Sequence, residues 1–122
     1  MLLAAAEHLG IDSDLVPKIA TGFCSGVART GGMCGALSGA VMALCMHEGR
    51  EGEGYDRTEL YEKIQQLVES FETKFGSTNC AQLLGLELGS EQGQVEYQQR
   101  NLNQQCAKYV GEAGRLVEAL LG

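Results

Sequence analysis

Residues 33–46, MCGALSGAVMALCM, carry no charge, and this stretch limits the possible folds more than any other. A helix that is apolar all round has no face to offer water, so it belongs at the buried centre of a bundle. The run is far short of the ~20 residues that a membrane span needs. Gly35, Gly39 and Ala43 recur every four residues and make a smooth row where another helix can approach closely. The spacing predicts a helix over Met33–His47, with Thr30-Gly31-Gly32 as the turn before it.

The other periodic segments are rich in Ala, Leu, Glu and Gln, and no window alternates with period two. The expectation is an all-α single domain over residues 1–122, a bundle of about five or six helices around that central buried apolar one. Leu2–His8 reads as a helix stopped by Gly10. Asp12 or Ser13 caps a second, with Pro17 near its first turn. Leu15, Val16, Ile19 and Ala20 point inward there, and the helix fades near Gly22–Gly26. After a polar loop over Glu48–Tyr55, Asp56 and Glu59 start a helix with the inward stripe Leu60, Ile64, Leu67, Val68, Phe71 and Phe75, ended by Gly76. Ser77 or Asn79 begins a short helix through Ala81–Leu84, and Gly85–Gly93 reads as loop. The last helix places Leu102, Cys106, Tyr109, Ala113, Leu116 and Leu120 on a seam in heptad rhythm.

Composition removes several function classes. At 122 residues there is room for one core. The net charge of −7 repels phosphate backbones, and no Lys/Arg run offsets it, so no nucleic acid partner is expected. MLLAAAEHLG lacks a basic start and its apolar run is broken by Glu7, which is not a signal peptide. No membrane association is expected either. Five cysteines, an odd and widely spaced set, do not suit a secreted disulfide scaffold and point to a reducing, cytoplasmic compartment.

Those cysteines are the candidate chemistry. Cys34 and Cys80 fall in the first turns of predicted helices, where free N–H groups and the helix dipole favour a thiolate, so lowered thiol pKa values are expected. Cys34 and Cys45 share a helix face but lie ~16 Å apart, too far for a disulfide. Cys106, on the inward seam of the last helix, is the candidate to meet Cys80 or Cys34. Cys24 and Cys45 read as small buried hydrophobes. Zinc or an iron–sulfur cluster would use Cys34, Cys80 and Cys106, with Cys45, but no CxxC pair occurs and no cofactor is required. His8 and His47 read as surface residues. Ser25 and Ser38 have no evident histidine partner.

Taken together, GGMCGALSGAVMAL, FETKFGSTNCAQLLG and the lone cysteine of QQCAKYVGEAGRLVEALL resemble the redox-active family named for its pattern C, GCAxxG, C, C. The likeness covers most of the chain. It implies a helical domain with a thiol redox or electron-transfer role and a redox partner protein or small thiol. The central motif falls on Cys34, Gly35, Ala36 and Gly39, written here CGALSG, and the later cysteines on Cys80 and Cys106. The family's first cysteine normally lies in a helix upstream of MLLAAAEHLG, so the chain reads as shortened or as lacking that thiol. A missing covering helix favours a homodimer. Three functions stand side by side at this point: a thiol redox protein, a cysteine-ligated metal or iron–sulfur module, and a structural helical subunit.

Overall fold

The charge-free segment forms helix α3, Gly35–Glu48, and Ala36, Leu37, Ser38, Gly39, Ala40, Ala43 and Leu44 are buried along it. In the computed structural model, which describes residues 1–121, α3 is preceded by α1 (Leu2–Leu9) and α2 (Leu15–Ala20). It is followed by α4 (Thr58–Phe75), α5 (Cys80–Leu84), α6 (Glu91–Gln99) and α7 (Leu102–Leu121). That makes seven right-handed α-helices among the described residues, against an expected five or six. None of them is long and apolar enough to cross a membrane.

α3 packs against α7, α1 and α4. The small-residue row does bring backbones close. A Cβ built on Gly39 would stand 3.0 Å from the Met1 Cβ, and one on Gly35 would stand 3.1 Å from the Phe23 carbonyl oxygen. The helix is not buried all round, however: Cys45 and His47 are exposed. On the other side of the core, α4 contributes Leu60, Leu67 and Phe71, and α7 contributes Leu102, Tyr109, Ala113 and Val117. Phe71, Phe75 and Tyr109 form an aromatic group, with Phe75 edge-on to both rings at centroid distances of 4.9 and 4.7 Å. Such side chains carry the bulk of the apolar burial that holds α4 to α7.

Two sequence expectations need correction. Leu15 and Ile19 of α2 are 63% and 65% exposed; of this six-residue helix only Val16 is buried, clustered with Leu2 and Ala6, and Ala20 packs partly against them. Residues 91–93 are not loop but the start of α6. Ser90 caps it by accepting a hydrogen bond from the Gly93 N–H at 2.9 Å. Gly93 is needed for close approach rather than for flexibility: a Cβ there would lie 1.7 Å from the Glu87 carbonyl oxygen.

Between α2 and α3 the backbone does something no periodicity announces. After a 3-10 turn at Thr21–Phe23, the segment 25–29 winds left-handed. Ser25, Gly26, Val27 and Ala28 have φ of 56°, 66°, 54° and 52°, and Arg29 has 71°. Left-handed geometry costs a non-glycine residue about 1–2 kcal/mol, so Ser25, Val27, Ala28 and Arg29 together store on the order of 4–8 kcal/mol. The turn is clamped locally. The Thr30 hydroxyl donates to the Val27 carbonyl at 2.8 Å, and the Gly32 N–H donates to the Gly26 carbonyl at 3.0 Å.

These observations set a contrast between two glycines. Gly93→Ala forces backbone apart and should lose about 1–3 kcal/mol in a denaturant titration, the range for overpacking. Gly111→Ala, in the interior of α7 with nothing within 4 Å of a new Cβ, should gain about 0.5–1 kcal/mol. A neutral Gly93→Ala would show that α6 is not seated as described.

Candidate functional site: a cysteine-lined cavity

Loop backbone brings two cysteines together before any side chain acts. Met33 and Asn79 form an antiparallel bridge, flanked by hydrogen bonds from Cys34 N to Thr78 O at 2.8 Å and from Cys80 N to Gly32 O at 2.7 Å. Cys34 and Cys80 therefore stand as diagonal neighbours on one face of the bridge, a placement that sets Cβ atoms about 7–8 Å apart or somewhat less. Each then begins a helix: Cys34 is the N-cap of α3, and Cys80 is the first residue of α5.

The third cysteine comes from α7. Tyr109 and Gln105, three and one positions from Cys106, both donate to the Leu83 carbonyl at the end of α5, at 3.3 and 3.0 Å. That tie brings the Cys106 face of α7 onto α5. Cys34, Cys80 and Cys106 all line one cavity of about 290 Å³, with Tyr97 and Tyr109 beside them. Their proximity is also electrostatic, since a charge on either of Cys34 and Cys106 disfavours ionisation of Cys80. The Tyr97 hydroxyl donates to the Cys106 sulfur at 3.7 Å.

Cys24 lines the same cavity and, contrary to its reading as a buried hydrophobe, is exposed. Its Cα would lie 3.4 Å from a Cβ on Gly35, so Gly35 is what lets it sit against the start of α3. Two residues on, Gly26 presses directly on Cys80: a Cβ there would be 2.4 Å from the Cys80 Cβ and 3.3 Å from its sulfur. Cys45 is different. It too is exposed, but it borders a separate apolar hollow with Leu2, Val16 and Met46 and does not join the other sulfurs. Among the described residues, no group of three or more His, Cys, Asp or Glu side chains is placed to hold a metal ion.

The expected lowering of the Cys34 and Cys80 pKa values is overturned. Burial pushes both thiols up, Cys80 to about 11, and neighbouring sulfurs add to the rise. The helix start does act at Cys34, where the Leu37 and Ala36 N–H groups pull the other way, but they lose. The magnitudes explain why. A charge at a helix end gains typically 0.3–1 kcal/mol, less than one pKa unit, whereas burial can shift a group by up to 3–5 units. Cys80 also begins a helix of only five residues. Tyr97 is likewise raised, to about 12, chiefly by burial and then by its bond to Cys106, so its phenol stays protonated and able to donate.

The sequence does not point to Tyr97, because Gly85–Gly93 reads as loop and hides the start of α6; it offers Cys24 only as a small buried hydrophobe or, like Cys45, as a stand-in for the family's first cysteine, because nothing local marks the left-handed turn. The one available signal was the glycine pair Gly22 and Gly26 bracketing that cysteine.

A pH test follows. At pH 7 a thiol with a pKa of about 11 is ionised to roughly one part in ten thousand, so Cys80 in the native protein should alkylate very slowly. Its rate should climb about tenfold per pH unit toward pH 11. Because the folded protein holds this proton more tightly than the unfolded chain, whose thiol titrates near 9.0, folding stability should fall as pH rises from about 9 to about 11 and be flat below. Mass-resolved alkylation and thermal melts across that range check both. Rapid labelling of Cys80 at pH 7 would contradict the buried placement.

The family model described as "Putative redox-active protein (C_GCAxxG_C_C)" matches residues 1–120. No curated protein and no solved structure matches the chain. With nearly its whole length matched, the chain belongs to the C_GCAxxG_C_C family.

Proposed function

We propose that this protein is a dithiol–disulfide redox carrier whose working sulfurs are Cys34, Cys80 and Cys106. The observation that carries the reading is their shared cavity, reached from three different elements and tight enough for each thiolate to oppose the next. Closing a disulfide between two of them releases two protons and two electrons to a partner disulfide; reopening it takes them back. The family's description as redox-active agrees with this chemistry. The same cavity offers no carboxylate or histidine among its lining residues, which leaves sulfur, with the neighbouring phenols, as its reactive equipment.

Burial sets the direction of the potential. A dithiol whose thiolate is stabilised becomes a strong oxidant, as in the couples near −120 mV. Here the anions are opposed and the reduced form gains nothing from ionisation at neutral pH, so the disulfide form is favoured. The couple should therefore be less oxidising than those couples. Such a carrier suits the cytoplasm, with a protein dithiol or a small thiol as its partner. Two copies would bury the exposed Leu15 and Ile19 against each other in a homodimer.

Equilibrating the full chain with dithiothreitol redox buffers, then alkylating and mapping peptides, tests the proposal. The expected product is one intramolecular disulfide joining two of Cys34, Cys80 and Cys106. Absence of any internal disulfide, or one that uses Cys45, would overturn the assignment.

A further inference from the structure

Three of the four cavity sulfurs are poorly placed to meet a partner. Cys34 and Cys80 are 8% and 7% exposed, and Cys106 is half-buried with its sulfur accepting a hydrogen bond from Tyr97. Disulfide exchange requires the attacking sulfur to approach in line with the bond it breaks, so a bulky partner cannot reach the first two directly. Cys45 is reachable but borders the other hollow. Cys24 alone among the described cysteines is both exposed and part of this cavity.

We infer that Cys24 is the exchange thiol of the protein, taking a mixed disulfide from an external disulfide and passing it inward to the buried cysteines. The inference rests on the redox reading above and adds to it a route and a substrate class: accessible disulfides of peptides or proteins.

In the first step the Cys24 thiolate attacks one sulfur of the external disulfide, forming a Cys24–S–S–R bond and expelling RS⁻, which takes up a proton. In the second a cavity thiol, after losing its proton to water, attacks the Cys24 sulfur. It expels the second RS⁻ and leaves an internal disulfide that includes Cys24. A third thiol then attacks the buried sulfur of that bond, releasing Cys24 as thiolate. The external disulfide has been reduced to two thiols, and two cavity thiols have been oxidised. Electrons and protons balance without a further reagent.

The surroundings of Cys24 fit such a relay. It sits at the junction where the chain passes from extended geometry, with φ −65° and ψ 154°, into the left-handed turn. Gly26 of that turn touches Cys80, and Gly35 leaves space for Cys24 beside the residue that follows Cys34. The segment that carries the exposed thiol is thus the one that lies against Cys80 and against the start of α3. Strain of this kind clusters where a structure must switch.

The test compares wild type with Cys24→Ser, both reduced and then challenged with glutathione disulfide at neutral pH. Wild type should pass through a glutathione adduct mapped to Cys24 and end in the internal disulfide among Cys34, Cys80 and Cys106. Cys24→Ser should slow that oxidation by about tenfold or more. Since Cys24 is exposed, the variant should fold and melt with wild type; should it fail to fold, limited alkylation of Cys24 on native wild type replaces it and should give the same loss. A smaller slowing, or an adduct found first on a buried cysteine, overturns the relay while leaving the redox reading intact. If wild type forms no internal disulfide at all, the redox reading falls and the relay with it.

Discussion

Two backbone hydrogen bonds, from Cys34 N to Thr78 O and from Cys80 N to Gly32 O, join the starts of α3 and α5, and the cavity is arranged around that join. The bonds fix where two helices begin and therefore where two sulfurs stand. α7 is then drawn to the same place by Tyr109 and Gln105, which share the Leu83 carbonyl. The left-handed turn closes the arrangement by laying Gly26 on Cys80. Cleaving the join would not merely loosen a loop; it would free α5, whose five residues cannot hold themselves helical in water.

This architecture sets burial against the favourable field of a helix start, and burial prevails. A thiol placed at a helix N-terminus is activated when solvent or a cation shares the work of holding its charge. Cys34 and Cys80 have the helix start but not the solvent, and each faces another sulfur that resists a second negative charge. The result is a protected pair rather than an activated nucleophile. In the redox reading proposed above, that protection suits the storage of an electron pair, and reactive access would fall on Cys24 at the exposed side of the same cavity.

Much of the fold was legible wherever burial alone decides it. The α4 stripe of Leu60, Leu67 and Phe71 faces the core because a long amphipathic helix has one way to hide its apolar face. Gly10, Gly76 and Gly85 all take the left-handed conformation at helix ends, as the residue type invites. Reading failed where tertiary contact overrides local preference. Leu15 and Ile19 match the inward pattern but stay exposed, since the small cluster of Leu2 and Ala6 covers only the Val16 row of that stripe. Gly93 reads as the end of a loop, yet it sits inside the first turn of α6 and lets the Glu87 carbonyl approach. Val27, a β-branched residue at φ 54°, is held in a conformation no propensity would assign. The cysteines that α3, α5 and α7 bring together could be named from their helix positions, whereas Cys24 could not, because its place depends on that unforeseen turn.

The central claim is spatial: Cys34, Cys80 and Cys106, from separate elements, share one small cavity with Cys24 beside them, and the fifth cysteine, Cys45, stands apart. Anomalous diffraction at a wavelength sensitive to sulfur would locate all five in a crystal of the reduced protein. The account requires Cys34, Cys80 and Cys106 peaks grouped around a single void with Cys45 outside it. Peaks for any of those three opening onto different surfaces would contradict it.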